Sequence, residues 1–577
     1  MGTFTLMALE APEHFNTIEN RAASFQAALA AWRDAIGAMY VHTDDELLRA
    51  WSRSTLPQST SPRAVLEPAC ADQVQAVVHI AALHRQPLYA VSCGRNWGYG
   101  DACGVTDGNV VVSLRRMNQI VEINVELAYA VIEPGVTQGQ LSTHLKSRGL
   151  PLWIDATGAG PDTSVVGNAL DRGYGHGLSG GRASNACGFE VVLADGRLLK
   201  TGFGHYHKAQ SSAIYKAGVG PCLDDLFTQS NLGIVTRMTI WLQQRPPYFK
   251  AFFFSVQNEN QVGQLVDALR PLRMAGTLRT PVHIFNDLRL LGSSVSYPWH
   301  SADGQASLSA AFLLKAKREL GFEAWHGFGA ISGNRDEVAA AVTTLRRGLR
   351  HVPGLGRVIL LDDQRMKNAD RVVKTLGLVG LGGGLKRRLE KARLAYSLLQ
   401  GESDEETLRG ALWRVRELPE HSDVKGLNPL DHGAGLVWIA PVLPMTGQHV
   451  DRVNGLLKPI FLVHGFEYQV TLTLLTSRAI CAAISICYDR SDVIAVRAAR
   501  QCHDESLEVL MQAGYPPYRV GTMGMAMLDK GSHVFWDVVA QIKVALDPNA
   551  LLSRGRYDPA GARQTISKDD RTSDVDS

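Results

Sequence analysis

A glycine-rich loop at residues 91–100, Val-Ser-Cys-Gly-Arg-Asn-Trp-Gly-Tyr-Gly, is the stretch whose composition first indicates chemistry. It follows an apolar, strand-like run at 87–92 and leads to a second apolar run at 109–114. Glycine allows backbone N–H groups to converge on one point, which makes a site for an anion such as a pyrophosphate. The loop is neither a Walker loop, which needs Gly-Lys-Ser/Thr, nor a Rossmann fingerprint, which needs G-x-G-x-x-G at the start of a helix. Taken alone, it is equally consistent with a turn between two strands.

The composition is that of an ordinary globular protein. The chain has 577 residues, of which 45% are hydrophobic and 20% charged, and its formal net charge is +3. This length allows two large domains or roughly three to four average ones, and the near-balanced charge does not indicate a nucleic-acid partner. The eight cysteines form no C-x-x-C pair, which favours free thiols in a reducing compartment. Because the N-terminus lacks a signal-peptide pattern and no apolar run is long enough to span a membrane, we expect a cytoplasmic protein.

The spacing of apolar residues predicts an α+β fold that would position this loop. Residues 17–53 have helical spacing, and helices are also predicted over 72–84 and 137–148, between short strands of half-buried mixed sheets. From residue 247 onward, strands and helices alternate without parallel-sheet signals, which indicates an antiparallel sheet covered by helices. The glycine-rich segment at 155–181 is costly to order unless a ligand fills it.

Four motifs occur in a fixed order along the first half of the chain. They are Gly94-Arg-Asn-Trp-Gly-Tyr-Gly100, Val166-Gly-Asn-Ala-Leu-Asp-Arg-Gly173, Gly188-Phe-Glu-Val-Val-Leu-Ala-Asp-Gly196 and Gln229-Ser-Asn-Leu-Gly-Ile-Val-Thr236. Tyr518-Arg519 and Asp547-Pro-Asn follow near the C-terminus. Together these motifs resemble the vanillyl-alcohol oxidase and p-cresol methylhydroxylase family of flavoproteins.

The resemblance implies a two-lobed FAD-binding domain of the p-cresol methylhydroxylase type and an antiparallel-sheet cap. The expected units are an N-terminal helical segment (1–60), the FAD-binding domain (61–246), the cap or substrate domain (247–505), a C-terminal return to the FAD domain (506–558) and a disordered tail (559–577). Backbone donors are needed beside a flavin ring that gains negative charge on reduction. The residues expected to hold FAD are Gly94, Arg95, Asn96, Trp97, Gly98, Tyr99, Gly158, Gly167, Asn168, Gly173, Gly175, Gly233, Ile234, Val235, Thr236 and Arg556.

The resemblance also implies a phenol site. In the resembled enzymes a phenol binds as its phenolate between tyrosines and an arginine, and its benzylic carbon gives a hydride to flavin N5. Tyrosine hydroxyls and a guanidinium stabilise the phenolate, which eases the departure of the hydride. These roles fall here on Tyr99, Tyr518 and Arg519. The expected function is therefore FAD-dependent oxidation of a 4-alkylphenol or a related aromatic alcohol.

The sequence departs from the family's pattern around the expected catalytic centre. After Arg172-Gly173 the family's tyrosine-containing run gives way to His176-Gly-Leu-Ser, so we expect the third phenol-binding tyrosine to be missing. The position of the family's catalytic acid holds Ala159. Asp162, three residues later, is the candidate substitute, and a loop without an acid is the alternative.

The expected attachment of the flavin is noncovalent. The cap residue that anchors flavin in some relatives would lie near Leu436, and related His-linked families place their histidine where Asn96 stands. Neither side chain here can bond to the flavin. His432 is a remote alternative anchor.

Three histidines are candidates for proton transfer or metal binding. His176 could accept a proton from an alcohol or a phenol at physiological pH, or it could simply fill space among glycines. His205 and His207 have the spacing of a metal pair but no third ligand nearby, so we expect no metal site.

Two other functions stay open at this point. One is oxidation of a non-phenolic alcohol, a hydroxy acid or a natural-product intermediate, and the other is a flavin-binding subunit without turnover. The expected partners are a small-molecule substrate and an electron acceptor, either oxygen or a redox protein. No nucleic-acid partner and no membrane span are expected, and we consider a homodimer.

Overall fold

The computed structural model describes residues 18–301, 307–378, 383–418, 427–529 and 533–563. Two sheet-centred lobes come first in the chain, a large antiparallel sheet follows, and the C-terminal segment returns to the first lobe. No helix in these described ranges is long and apolar enough to cross a membrane.

The first lobe is a four-stranded sheet in the order β1-β2-β4-β3, in which β2, β4 and β3 run parallel. The helices at Ile18–Ile36 and Ala71–Leu83 cover one face of it. The indole of the fully buried Trp32, on the first of these helices, donates a hydrogen bond at 3.2 Å to the carbonyl of Val77 on the second. The elements are α1 (Ile18–Ile36), β1 (Val41–His42), α2 (Asp45–Trp51), β2 (Ala64–Leu66), α3 (Ala71–Leu83), β3 (Leu88–Val91) and β4 (Val110–Ser113). The glycine-rich loop therefore leaves the carboxyl end of β3.

The second lobe is an antiparallel five-stranded sheet in the order β5-β6-β10-β8-β9, with a short β7–β11 pair beside it. A hairpin joins β8 to β9, and Gly196 in its turn adopts a φ of 83°, which favours glycine. The elements are β5 (Ile120–Asn124), β6 (Tyr129–Ile132), α4 (Gln138–Ser147), β7 (Leu152–Trp153), α5 (Val165–Leu170), β8 (Ala186–Val192), β9 (Leu198–Lys200), β10 (Ile234–Trp241) and β11 (Gln243–Gln244).

The cap contains an antiparallel sheet in the order β15-β12-β14-β13-β18-β19-β16, with β17 paired to β19, as the sequence predicts. The strands are β12 (Tyr248–Val256), β13 (Val282–Asn286), β14 (Trp325–Gly333), β15 (Ile359–Leu361), β16 (Ala434–Ile439), β17 (Val442–Pro444), β18 (Gln469–Leu474) and β19 (Ala479–Asp489). The helices are α6 (Val262–Met274), α7 (Asp287–Gly292), α8 (Ala310–Leu320), α9 (Arg335–Leu349), α10 (Asp363–Leu378), α11 (Gly383–Leu399), α12 (Gly447–Val463) and α13 (Val493–Gln512). The boundary expected at 505 lies inside α13, which continues to pack on this sheet.

The two faces of the cap sheet have different chemistry because successive strand residues point to opposite sides. Val470 and Leu472 of β18 face an apolar core that α6, α9, α12 and α13 complete. The intervening Thr471 and Thr473 point the other way and line a cleft. The sheet thus buries one face for stability and presents the face that carries these threonines, Leu436 and Trp438 to the FAD-binding lobes.

The C-terminal segment rejoins the first lobe after α14 (His533–Leu546). The backbone N–H of Leu88 donates to the Leu551 carbonyl at 2.8 Å, and Leu88 and Leu552 form a parallel bridge. Residues 559–563 are helical and bury Ala562, so the expectation of a disordered tail from 559 is wrong for its first turn. Residues 564–577, and residues 1–17 of the predicted N-terminal segment, lie outside the described residues.

Lys543 is the buried cation that ties this return to the body of the protein. Its ammonium donates to the Asn231 carbonyl at 2.7 Å, to the Leu552 carbonyl at 2.9 Å and to Asp547 Oδ2 at 2.6 Å. Asp547 in turn accepts the backbone N–H groups of Leu551 and Leu552, both at 2.8 Å.

We predict that Lys543→Met destabilises the protein by about 3–5 kcal/mol, because it leaves the Asp547 carboxylate buried without its cation. The shift in Tm at a fixed scan rate measures this. Lys146→Met, which breaks an exposed pair with Glu402, is the matched control and should change Tm little. Equal shifts in the two variants would contradict the prediction.

Candidate active site

A cleft separates the cap sheet from the two FAD-binding lobes. Its walls come from the loop after β3, from α5 and the loops on either side of it, from the start of β10, from cap strands β16, β18 and β19, and from the segments around residues 518 and 556. The cleft is therefore formed by segments that are far apart in sequence and that come together only when the sheets have folded.

The loop after β3 fits the anion site that its glycines predict. The backbone N–H groups of residues 94–97 donate no hydrogen bond to any residue in the described ranges, and Gly94 has a φ of 64°. Nearby, the amide oxygen of Asn168 is buried without a hydrogen-bond partner among the described residues. Free donors in a turn and an unpaired buried acceptor fit the pyrophosphate and polar ring edge of FAD.

Most of the residues expected to hold FAD line the cleft, but three of them do not. The Thr236 hydroxyl donates to Glu190 instead, at 3.2 Å to its carbonyl and 3.1 Å to Oε1. The N–H of Gly98 donates to Thr55 Oγ1 at 2.8 Å. Gly175 packs against Asp155 behind the wall. These three residues lie behind the residues that line the cleft, and their contact with FAD stays a prediction.

Tyr99, Tyr518 and Arg519 come together in the cleft as expected. The Arg519 guanidinium carbon lies 4.0 Å from the centre of the Tyr99 ring. Burial raises the pKa of both tyrosines, and each hydroxyl also influences the pKa of the other. The hydroxyls are therefore protonated at neutral pH and available as hydrogen-bond donors to an anion.

Tyr174 completes this group, and the expectation of a missing third tyrosine is wrong. Its ring centre lies 5.6 Å from that of Tyr518, and burial raises its pKa well above the ordinary value. The resemblance to the family did not identify Tyr174, because the residues that differ from the family's pattern begin directly after it, at Gly175-His176. We call Tyr99, Tyr174, Tyr518 and Arg519 the tyrosine–arginine cluster.

Asp171 holds this cluster in place. Its Oδ2 accepts from Arg519 Nη2 at 2.8 Å and from Asn96 Nδ2 at 3.1 Å, and its Oδ1 accepts from Arg556. Burial alone would raise the pKa of Asp171, but the Arg556 and Arg519 guanidinium groups bring it below the ordinary value. One carboxylate and two guanidinium groups sum to a single buried positive charge. Arg556 also donates to the Tyr89 hydroxyl at 3.0 Å.

His176 lies in the cleft wall as a neutral imidazole. Burial lowers its pKa to about 4, and its Nδ1 has no hydrogen-bond partner among the described residues. Its ring centre is 4.5 Å from that of His283, whose pKa burial also lowers. His283 Nδ1 lies 3.1 Å from Thr473 Oγ1. Two adjacent uncharged imidazoles give this wall polar atoms without charge.

Asp162, the candidate catalytic acid, lies outside the cleft. Its side chain is 63% exposed, it pairs with Arg95 at 3.2 Å, and it does not line the cleft. Ala159 occupies the wall there, and its carbonyl accepts from the Trp97 indole at 3.1 Å. The loop therefore presents no acid at this point, because the chain turns Asp162 outward to solvent.

The residues at the expected positions of a flavin anchor differ in where they lie relative to the cleft. Leu436 lines the cleft and is 2% exposed, whereas His432 does not line it. Asn96 is engaged with Asp171 and Arg519.

Sequence reasoning missed Arg289 and Trp438, two cap residues that line the cleft. Arg289 belongs to α7, which starts directly after β13, and its Nη1 donates to Ser485 Oγ at 3.2 Å. Its guanidinium carbon lies 5.1 Å from the Trp438 ring centre. The only available signal was an arginine inside the apolar run Leu288-Arg-Leu-Leu, which is too common a pattern to be singled out.

Comparisons with known proteins agree with this geometry. A model of the FAD binding domain matches residues 62–202. The chain is 38% identical to 1'-carboxy-chondrochloren decarboxylase of Chondromyces crocatus, over 92% of this chain and 97% of that protein. It is 30% identical to the 4-cresol dehydrogenase [hydroxylating] flavoprotein subunit of Pseudomonas putida, over 92% and 95%.

Solved structures show the same fold along nearly the whole chain. Substrate-bound p-cresol methylhydroxylase superposes with a TM-score of 0.82 at 28% identity, covering 93% of this chain and 97% of that one. A 4-ethylphenol oxidase from Gulosibacter chungangensis, in complex with isoeugenol, gives the same TM-score and coverage at 26% identity. The expected FAD-binding fold with its antiparallel cap is thereby confirmed. The chain belongs to the p-cresol methylhydroxylase family of FAD-dependent oxidoreductases.

Proposed function

We propose that this protein oxidises a 4-alkylphenol, or a related 4-substituted phenol, at its benzylic carbon. The tyrosine–arginine cluster is the observation that carries this proposal, since it offers three hydroxyl donors and a guanidinium at one end of the cleft. The relatives named for 4-cresol and 4-ethylphenol support it. FAD bound in the cleft supplies the two-electron acceptor for the hydride.

The charge at the phenol end favours the phenolate form of such a substrate. The Asp171, Arg519 and Arg556 side chains leave one net positive charge in a buried place, and a phenolate neutralises it. A phenolate oxygen can push electron density through the ring toward the benzylic carbon. Loss of a hydride then gives a neutral quinone methide in place of an unstable benzylic cation. His176, with its lowered pKa, stays neutral and forms part of the wall.

We also propose noncovalent binding of FAD through the free N–H groups of residues 94–97, the Asn168 amide and the start of β10. A leucine at position 436 has no heteroatom that could bond to the flavin ring. Asn96 is occupied by Asp171 and Arg519, which fixes its side chain away from such a role.

A second candidate function is oxidation coupled to loss of carbon dioxide, which the 38% identity to a protein named as a decarboxylase favours. The substrate would carry a carboxylate on the carbon next to the benzylic carbon. After the hydride has left, the bond to the carboxylate breaks, and its electron pair forms a double bond to the benzylic carbon while the quinone methide returns to a phenolate. In sum, HO-Ar-CH₂-CHR-COO⁻, FAD and a proton give HO-Ar-CH=CHR, CO₂ and FADH₂.

Anaerobic addition of 4-propylphenol should bleach the oxidised flavin band of the wild-type protein, and Arg519→Met should slow this by about 100-fold, because the charge that stabilises the phenolate is lost. Stopped-flow absorbance measures the rate. 4-Propylanisole, which has no ionisable hydroxyl, is the control and should cause no bleaching. Readmitted air then separates oxygen from a redox protein as the acceptor.

The same experiment discriminates the rival functions. Bleaching by alcohols but by no phenol would favour a non-phenolic substrate, and no bleaching by any compound would favour a flavin-binding subunit without turnover. With 3-(4-hydroxyphenyl)propanoate, 4-vinylphenol and CO₂ are expected from the decarboxylating reaction. The hydrated acid, 3-hydroxy-3-(4-hydroxyphenyl)propanoate, would refute that candidate.

The phenol site should also lower the pKa of a bound phenol, by about one to two pH units, since the pKa of an acid falls beside a buried positive charge. The phenolate absorption of bound 4-hydroxybenzaldehyde, followed against pH, measures this. Between the lowered pKa of the bound aldehyde and the pKa of the free aldehyde, the bound form should be a phenolate while the free form is protonated. Arg519→Met should abolish this difference between the two pKa values, whereas Arg197→Met, at an exposed position, should leave it unchanged. An unshifted pKa in the wild-type protein would argue against phenolate binding.

Denaturation should release all the FAD. Trichloroacetic acid should leave a colourless protein pellet and a yellow supernatant, and gel filtration in guanidinium chloride provides the independent check. Flavin that stays with the protein in both procedures would show a covalent bond and contradict the proposed attachment.

A further inference from the structure

Arg289 is a partly buried cation that the phenol site does not use. No carboxylate among the described residues forms an ion pair with it, and burial lowers its pKa. A guanidinium has five N–H donors, yet the guanidinium of Arg289 donates one hydrogen bond within the described ranges, to Ser485 Oγ. Its side chain forms part of the cleft wall.

Other arginines in the interior of this protein have more partners. Arg519 and Arg556 share the Asp171 carboxylate, and Arg414 lies 3.5 Å from Glu467. Arg273 donates to three backbone carbonyls, those of Leu278, Thr280 and Leu475. A charge that is largely removed from water and has no counter-ion costs free energy, so the few partners that Arg289 has among the described residues indicate a place for an anion that is not part of the chain.

The cap sheet fixes where this anion would lie relative to the phenol. Tyr174 interacts with Thr473, whose neighbour across the strands is Cys481, whereas Arg289 bonds to Ser485, whose neighbour is Gln469. These two rows are four residues apart, which is about 13 Å along the strands. A bare 4-methylphenol cannot reach both ends. A phenol with a short side chain that ends in an anion spans most of this gap.

We propose that Arg289 binds a carboxylate on the side chain of the phenolic substrate. This inference rests on the proposed oxidation of a 4-substituted phenol and narrows its substrates to 3-(4-hydroxyphenyl)propanoates and their derivatives. A carboxylate fits the planar fork of a guanidinium and its single negative charge matches that of Arg289. The Trp438 ring beside the guanidinium limits its motion. Arg289 is thus a specificity-determining residue at the end of the cleft opposite the tyrosine–arginine cluster.

The test measures binding without turnover. 4-Hydroxycinnamate carries the phenol and the carboxylate but has no saturated benzylic carbon, so it cannot give a hydride, and 4-hydroxycinnamamide is its uncharged counterpart. Isothermal titration of the FAD-loaded protein gives Kd for each. Arg289→Gln should weaken binding of the acid by about 10- to 100-fold, the usual effect of a hydrogen bond to a charged group, and binding of the amide by less than about twofold.

Two further variants make the result specific. Arg289→Lys should recover part of the affinity for the acid, because it restores the charge without the fork. Arg409→Gln, which removes an arginine paired with Glu406 outside the cleft wall, should change neither Kd. The flavin content and Tm of each variant report whether it is folded.

The inference is overturned if Arg289→Gln weakens the acid and the amide equally, or neither of them. Its failure is distinguishable from failure of the proposed function. If 4-propylphenol bleaches the flavin while the Kd of the acid is independent of Arg289, the carboxylate site alone is wrong. If no phenol bleaches the flavin while the acid still requires Arg289, the proposed oxidation is wrong and the carboxylate site stands.

Discussion

The buried Asp171 carboxylate is the interaction on which the cleft depends. It joins Asn96 in the loop after β3, Arg519 in the segment after α13 and Arg556 near the C-terminus. Taking three charges out of water is expensive, and good geometry with complete hydrogen bonding is what offsets that cost. Because the carboxylate orients the Arg519 guanidinium over Tyr99, one buried charge determines both how the chain segments meet and where a phenolate can lie.

The cap sheet supplies the opposite wall through simple alternation. Val470, Leu472 and Ile484 contribute to the apolar core that holds the cap together, so they must be hydrophobic. Thr471 and Thr473 alternate with them and face the cleft. The same strand therefore stabilises the cap with one face and contacts ligands with the other, and changes of cleft residues can alter specificity without removing core contacts.

The sequence reveals this site unevenly, for physical reasons. Glycine loops can be recognised from sequence because only certain backbone conformations bring N–H groups together. Among the residues that the structure describes, the N–H groups of 94–97 find no acceptor, as that reasoning requires. Side-chain direction is less readable. Thr236 and Asp162 stand next to cleft residues in the chain, yet the Thr236 hydroxyl donates to Glu190 and the exposed Asp162 carboxylate pairs with Arg95. Arg289 could not be predicted, since its place depends on α7 following β13 beneath a sheet assembled from distant strands.

If the reaction releases carbon dioxide, the cationic groups at the two ends of the cleft have opposite effects on the decarboxylation step. Once the hydride has left, the phenol oxygen becomes a neutral carbonyl and the negative charge remains on the carboxylate beside Arg289. Release of CO₂ returns that charge to the oxygen beside Arg519. Arg289 thus stabilises the state before bond cleavage and the tyrosine–arginine cluster stabilises the state after it. Since only stabilisation that grows toward the transition state accelerates a step, Arg289 orients the substrate, whereas the charge at Arg519 favours the cleavage.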